Sequence, residues 1–379
     1  MKVLMIARAT LHTEPGGDTI QILHTAKYLR ESGVEVDVKL TPEISNYASY
    51  DLLHFFNITR PADILIHIRL SRKPFVVTPI FIEYGEFDKY FRKGIPGSIF
   101  KMLNSHAIEY LKIIGRRIYN GERIMSREYL LSGQKKSIQQ VLNKASFLLP
   151  NSYSERKRMG KHFDLTSSFA VIPNGIDEKI FQRSEGYQKD ELLVLCVARI
   201  EGIKNQLNLI KALNGTRFKL LLIGKPAQNQ MDYWKACKEI AADNVHFMGS
   251  MTQEALVQFY KQAKVHILPS WFETTGLSSL EAAAMKCNIV ITDRGDASDY
   301  FRTDAWYCDP ASPESIYEAV EKAASSKFNE ALCKRVFEQF TWKIAANQTL
   351  EIYKNLKKNK ISENRNFRNK GDSESLRRI

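Results

Sequence analysis

The residues with the clearest chemical potential in this sequence are two glutamates eight positions apart, Glu273 and Glu281. An apolar run ends near Leu268, a loop follows, and Gly276 opens a stretch with helical periodicity that contains Glu281. The free amides at a helix start suit a diphosphate, and carboxylates accept hydrogen bonds from sugar hydroxyls. Spacing alone equally allows a simpler interpretation, in which the helix dipole favours one acid and the second lies on a solvated face.

Two further groups of candidate residues each follow the first predicted strand of a domain. Arg199 and Lys204 lie directly after an apolar run, where cations at the end of a parallel strand can reach a diphosphate. A solvated loop with two ordinary surface cations is the alternative. Gly16 and Gly17 form a glycine-rich turn after the first strand, which lets the backbone approach a ligand, although such turns are common.

The elements that must position these residues alternate between apolar β-type runs and helical periodicity. Continuous Val/Ile/Leu runs between helices predict parallel sheets covered on both faces. We therefore predict an α/β protein of two Rossmann-like doubly wound domains facing each other across a cleft, with the site at the carboxyl ends of the strands. The predicted strands are Val3–Ala7, Val34–Val38, Leu52–Phe56, Phe75–Thr78, Phe147–Leu149, Phe169–Ile172, Leu192–Ala198, Phe218–Ile223, Val245–Met248, Val265–Leu268 and Asn288–Thr292.

Together with the turn Pro173-Asn174-Gly175-Ile176-Asp177, these motifs give the chain a resemblance to the retaining nucleotide-sugar glycosyltransferases of family 4, which have the GT-B fold. The resemblance extends from the first strand to Trp342, with the motifs in the family's order. It implies that Arg199 and Lys204 neutralise the donor diphosphate, that Glu273 contacts the donor sugar and that Glu281 holds the ribose.

The resemblance also implies the remaining donor contacts. Gly276 and Leu277 would offer amides, Gly16 and Gly17 would face the diphosphate or acceptor from the other domain, and Thr275 would belong to the same loop. The base would lie near Gly224, Met248 and Gly249. The donor would be of the UDP or GDP type.

Two departures from the family pattern are visible. Where relatives have a histidine after the fourth strand, this chain has Thr78-Pro-Ile-Phe-Ile-Glu83 and no histidine. Glu83 either replaces that group on the acceptor side or is structural. Thr274 and Thr275 stand where Pro-Phe is usual, which removes one aromatic contact and keeps Gly276.

The composition of the chain argues against several classes of protein and site. With 379 residues and 44% apolar residues, the chain is long enough for two packed domains, and no apolar run is long enough for a membrane-spanning helix or a signal-peptide core. The five cysteines are widely spaced, which argues against a disulfide framework or a zinc site. No DxD carboxylate pair lies at the end of a predicted strand, and because Arg199 and Lys204 could neutralise the diphosphate we expect no metal and no cofactor.

The net charge of +13 is concentrated in two segments. Residues 92–162 contain 15 Lys/Arg against 4 Asp/Glu, and residues 354–379 contain 9 against 3. A nucleic-acid binder is disfavoured because no recognition motif accompanies this charge. The segment 92–162 predicts basic amphipathic helices that either dock on an anionic membrane or are merely solvated.

These observations predict a cytoplasmic retaining hexosyltransferase, peripheral on the inner face of the membrane, that transfers sugar from a nucleotide sugar to a glycan or glycolipid acceptor. The resemblance and the basic segment place it in bacterial surface polysaccharide synthesis of the O-antigen or capsule type. The alternative is a nucleotide-sugar-binding GT-B protein without catalysis. The expected division is an acceptor-side domain at 1–172, a donor domain at 173–340, a returning helix at 341–358 and a basic disordered tail at 359–379.

Overall fold

The computed structural model describes residues 1–44, 46–82, 127–183 and 188–375. Within them, the N-terminal strands form a parallel sheet in the order β2-β1-β3-β4-β5. Its strands are β1 (Lys2–Ala7), β2 (Glu35–Leu40), β3 (Leu52–Phe56), β4 (Phe75–Thr78) and β5 (Phe147–Leu148). Its helices are α1 (Gly17–Glu31), α2 (Pro61–Ser71), α3 (Arg127–Lys144) and α4 (Tyr153–Gly160).

A second parallel sheet has the order β11-β10-β9-β6-β7-β8. Its strands are β6 (Asp190–Val197), β7 (Lys219–Ile223), β8 (Val245–Phe247), β9 (Ala263–Leu268), β10 (Asn288–Thr292) and β11 (Trp306–Cys308). Its helices are α5 (Gln206–Leu213), α6 (Met231–Ile240), α7 (Gln253–Gln262), α8 (Leu277–Ala284), α9 (Ala297–Phe301), α10 (Pro313–Ala324) and α11 (Glu330–Gln339). Short 3-10 turns occupy Thr41–Glu43, Gly202–Lys204 and Gln228–Gln230. The predicted architecture of two Rossmann-like sheets is confirmed.

Most predicted strands are observed with ends within two residues, because buried parallel strands show as uninterrupted apolar runs. The predicted strand Phe169–Ile172 is wrong as a full strand. Phe169 makes one isolated bridge to Leu148, since β5 beside it is only two residues long. The sequence reading also missed α2, which begins at Pro61, and β11.

The last helix, α12 (Trp342–Ser375), returns to the N-terminal domain. Trp342 stacks on His24 of α1 with ring centroids 5.5 Å apart, and the hydroxyl of Tyr353 lies 2.6 Å from Nδ1 of His54. The helix continues to Ser375, whereas the sequence predicted a disordered tail from residue 359. No proline follows Trp342, so no residue there is incompatible with a continuing helix.

The two domains meet through a polar junction. The Tyr300 hydroxyl donates to the carbonyl oxygen of Asn151 at 2.8 Å, and the Ser154 hydroxyl donates to Asp299 at 2.6 Å. Asp177, fully buried in the turn between the domains, accepts from Lys27 and from the hydroxyl of Tyr28, each at 2.7 Å. These bonds connect N-terminal elements directly to the turn and to α9.

Candidate functional site

The glycine turn at the head of α1 faces the second domain. A Cβ atom built on Gly16 would lie 3.9 Å from Nη2 of Arg199, and one built on Gly17 would lie 3.8 Å from Cδ1 of Leu277. The structure therefore brings Gly16, Gly17, Arg199 and Leu277 to one cleft, at the carboxyl ends of strands from both sheets.

Glu273, in the loop before Gly276, is the centre of a polar cluster in the second domain. Lys204 Nζ donates to Glu273 Oε2 at 2.7 Å, and the Ser270 hydroxyl donates to the same oxygen at 3.0 Å. The amide of Gly276 donates to Oε1 at 3.3 Å. Glu273 is only 7% exposed, so Lys204 compensates a charge that has lost most of its hydration.

The backbone fixes Glu273 as firmly as the side-chain contacts do. Its amide donates to the carbonyl oxygen of Arg294 at 3.0 Å, and its carbonyl oxygen accepts from the amide of Asp296 at 2.8 Å. Glu273 and Gly295 form a parallel bridge. The carboxylate is thus preorganised, which is what electrostatic stabilisation of a reacting group requires.

The turn after β6 presents the two cations differently. Arg199 is half exposed, and its Nη2 contacts Glu201 Oε1 at 3.0 Å. Lys204 ends the 3-10 turn, after which Asn205 adopts a left-handed conformation (φ 60°) and its buried side-chain amide donates to the carbonyl oxygens of Pro269 and Pro310. The side chain of Asn205 therefore anchors the turn to the segment before Glu273 and keeps Lys204 next to that carboxylate.

Helix α8 begins at the cleft. Gly276 is its N-cap with φ 72°, and a Cβ there would lie 2.9 Å from Cδ1 of Ile291. Glycine is required because an L side chain would be both strained and crowded. No side chain caps the start of α8, and uncapped amides at a helix start are a feature that anion sites use.

Glu281, one turn further along α8, is held by helix α7. Its Oε1 accepts from Gln253 Nε2 at 2.7 Å and its Oε2 accepts from the Tyr260 hydroxyl at 3.0 Å. It is 7% exposed, and burial raises its pKa to about 7. A carboxylate has about four lone-pair sites, so two acceptor positions remain for a diol.

The turns after β6, β7 and β8 touch one another. The amide of Gly224 donates to the carbonyl oxygen of Gly249 at 2.7 Å. A Cβ on Gly224 would lie 1.9 Å from the carbonyl oxygen of Ala198. Met248, which follows β8, exposes 41% of its surface and offers an apolar contact beside the glycines.

Thr275 serves the domain junction. It is 1% exposed, and its Oγ1 accepts from Asn174 Nδ2 at 2.9 Å and lies 3.3 Å from the hydroxyl of Tyr300. The family resemblance had placed Thr275 with the donor contacts, but its hydroxyl is engaged between the domains. Glu83 lies outside the described residues.

The sequence reading missed Ser270, Gln253 and Tyr260 as partners of the two glutamates. It also missed a buried ion pair between Arg158 and Asp296 next to Glu273. Ser270 precedes Glu273 by three residues and could have been suspected from that spacing. The others come from separate elements, and no local pattern marks them.

Two parallel-sheet domains of this kind are the GT-B fold, which solved glycosyltransferases share. A sucrose-phosphate synthase from Thermosynechococcus elongatus superposes with a TM-score of 0.71 at 16% identity, over 94% of this chain and 99% of that one. HepE of Anabaena, solved with UDP and glucose, superposes with a TM-score of 0.68 at 15% identity, over 93% and 99% of the two chains.

Part of the chain is also similar in sequence to known glycosyltransferases. Residues 177–339 match the family of glycosyl transferases group 1. An uncharacterized glycosyltransferase of Methanocaldococcus jannaschii is 30% identical over 48% of this chain and 53% of its own length. A probable sucrose-phosphate synthase of Thermosipho melanesiensis is 22% identical over 90% and 92%. The chain spans about half the length of the first of these relatives. Its second domain is thus similar to glycosyl transferases group 1, and its two-sheet fold is similar to that of the solved glycosyltransferases.

The raised pKa of Glu281 gives a pH prediction. The charged carboxylate is the better acceptor for ribose hydroxyls, and with a pKa of about 7 it is lost as the pH falls below neutrality. We expect the affinity for nucleoside diphosphate to fall about tenfold between about pH 8 and about pH 6, as the charged fraction does. Calorimetric titration across this range measures the effect. Glu281→Gln should bind weakly with a flat profile, and a pH dependence that survives in this variant would assign the titration to another group.

Proposed function

We propose that this protein is a retaining hexosyltransferase that transfers a sugar from a nucleotide-sugar donor to a glycan acceptor. The observation that supports it most directly is the Lys204–Glu273 pair before α8, in the same domain as Arg199, whose guanidinium lies close to Gly16 of the other domain. Arg199 and Lys204 supply positive charge for the leaving diphosphate, so that the proposal needs no metal ion.

The roles of the two glutamates follow from their surroundings. Glu273, held by Lys204 and by the backbone next to the cleft, contacts the donor sugar as positive charge develops on it. Glu281, buried against Gln253 and Tyr260, accepts hydrogen bonds from the ribose. Because structural neighbours were solved with UDP and UDP-glucose, a uridine donor is favoured, with GDP sugars as the second possibility.

Substitution of each glutamate separates these roles. Glu281→Gln is expected to weaken binding of the nucleoside diphosphate, whereas Glu273→Gln is expected to leave binding nearly intact and to lower turnover. Binding of UDP, GDP, ADP and CMP is measured by calorimetry with EDTA present, and turnover by donor consumption with acceptor.

The matched control is Glu254→Gln, an exposed glutamate next to Gln253 on α7. It should change neither binding nor turnover. Equal effects of Glu273→Gln and Glu281→Gln would remove these role assignments. Clear nucleotide binding without turnover on any acceptor would instead favour a nucleotide-sugar-binding protein without catalysis, the alternative motivated by the missing histidine after β4.

For the acceptor, we propose a lipid-linked glycan of a bacterial surface polysaccharide, used at the cytoplasmic face of the membrane. Among the described residues, no helix combines the length and apolarity that crossing a bilayer requires. Helix α3, which lies in the described part of the basic segment 92–162, exposes Lys135 and Lys136 and has Leu131 90% exposed. Exposed cations beside an apolar side chain suit an anionic lipid surface, at about 1 kcal/mol per cation.

The membrane proposal predicts salt-sensitive binding to lipid. The protein should sediment with vesicles that contain phosphatidylglycerol and remain in the supernatant with pure phosphatidylcholine. Replacing Leu131, Lys135 and Lys136 by Ser should reduce the bound fraction, whereas replacing the exposed Lys322 and Lys334 of the other domain should not. Equal sedimentation with both lipids would contradict the proposal.

A further inference from the structure

Arg158 of α4 is a buried cation at the junction between the domains. It is 7% exposed, and its guanidinium lies between two aromatic rings that belong to different domains. Its central carbon is 6.0 Å from the ring centre of Phe81 and 4.8 Å from that of Phe272. Burial on this scale is costly for a cation unless its polar partners are arranged around it.

Those partners again come from both domains. Nη2 donates to the carbonyl oxygen of Phe81 at 2.6 Å and to Asp296 Oδ2 at 3.0 Å, while Nη1 donates to Asp296 Oδ1. This two-pronged contact with a carboxylate is a geometry that arginine provides and lysine does not.

The N-terminal end of this link is the segment after β4. Phe81 follows that strand by three residues, in the stretch where relatives of the resembled family have a histidine and this chain has none. Its amide donates to Glu155 Oε1 at 2.6 Å, and its carbonyl oxygen is the acceptor for Arg158. Both polar backbone groups of Phe81 are thus fixed by side chains of α4.

The C-terminal end of the link is Glu273. Phe272, the ring under the guanidinium, is the residue before it, and the amide of Asp296 donates to the Glu273 carbonyl oxygen at 2.8 Å. Arg158 therefore contacts both structures that flank Glu273. Two other junction contacts, Ser154 with Asp299 and Tyr300 with Asn151, are made by neither Glu273 nor Phe81.

We propose that Arg158 is a positioning residue, which sets the position of Glu273 relative to the segment after β4. This inference rests on the proposed function, because it assigns Arg158 to the same reaction. The arginine joins the acceptor-side segment to the donor-side carboxylate, so that a small displacement of either would misplace the reacting groups.

Arg158→Lys tests the proposal, because it keeps the charge and loses the two-pronged contact. We expect kcat to fall about 100-fold, the cost of a misplacement of about 1 Å, with UDP affinity unchanged. Asp296→Asn, which keeps the backbone bond to Glu273, should lower kcat in the same direction. Rates are divided by the fraction of nucleotide-binding sites from calorimetry, so that unfolded protein does not count.

The matched control is Ser154→Ala, which removes a junction contact from the same helix. It should lower the unfolding temperature and leave kcat unchanged. If Arg158→Lys behaves like Ser154→Ala, with lower stability and full kcat per binding site, Arg158 only holds the domains together and the proposal is overturned.

A failure of the proposed function has a different signature, in which the unmodified protein neither binds a nucleotide nor transfers sugar. In that case the link is tested by unfolding alone. The shifts in unfolding temperature for Arg158→Lys and Glu273→Gln should combine non-additively, whereas those for Ser154→Ala and Glu273→Gln should add. Additive shifts in the first pair would overturn the proposal.

Discussion

Replacing Lys204 with methionine is expected to lower kcat for sugar transfer by about 100- to 1,000-fold, the range found when a preorganised charge-stabilising group is removed. Lys204 Nζ lies 2.7 Å from Glu273 Oε2 at the cleft, and we propose that it moves toward the diphosphate when the donor binds. Methionine keeps the apolar length of the side chain and removes the positive charge that would stabilise the negative charge developing on the leaving diphosphate.

The same change has a structural consequence that must be separated from catalysis. Without Lys204, the carboxylate of Glu273 stays buried beside Ser270 but no longer has a cation to compensate its charge. An uncompensated buried charge lowers the free energy of unfolding. The double variant Lys204→Met with Glu273→Gln removes both charges and should recover stability. It should not recover turnover.

Arg217→Met is the control for a cation in the same domain. Arg217 pairs with Glu321 on the surface, where its side chain is 56% exposed, and its loss should leave kcat unchanged. Donor turnover under saturating nucleotide sugar, with unfolding followed by circular dichroism, gives both quantities. If Lys204→Met retained kcat within about threefold, Lys204 would not stabilise the transition state.

The second large effect is expected for Gly224→Ala. The added Cβ would lie 1.9 Å from the carbonyl oxygen of Ala198, a backbone atom that cannot rotate away. The turns after β6 and β7 would have to separate, at a cost of about 3 kcal/mol in the free energy of unfolding. Because Arg199 follows Ala198 directly, the separation should also weaken binding of the nucleoside diphosphate.

Gly215→Ala is the matched control for this substitution. Gly215 lies in the same domain with φ +66°, but an added Cβ there would meet no atom within 4 Å. The substitution should lower the free energy of unfolding by about 1 kcal/mol, from backbone strain alone, and leave nucleotide binding unchanged. Denaturant unfolding and calorimetry compare the two variants. Equal losses of stability with unchanged nucleotide affinity in both would show that the close approach at Ala198 does not matter.

The parallel sheets and the ends of most strands could be predicted from the sequence alone. A strand buried on both faces is apolar at most positions, so β3, β4 and β10 are visible as largely apolar runs, although His54 lies inside β3. The start of α8 could be predicted in the same way, because Gly276 occupies a left-handed conformation that disfavours other residues. These signals are local, since each depends on a few consecutive residues.

Which side chains contact one another became visible only in the tertiary structure. Arg158 and Asp296 are 138 positions apart, and Gln253 and Tyr260 reach Glu281 from a different helix. Thr275 lies in the loop that the sequence assigned to donor binding, but its hydroxyl is hydrogen-bonded to Asn174 and Tyr300 at the junction between the domains. Such partners are selected by the packing of distant elements against one another. The spacing of two glutamates in one segment could therefore reveal the candidate site, while the groups that hold those glutamates became visible only when the two domains were packed together.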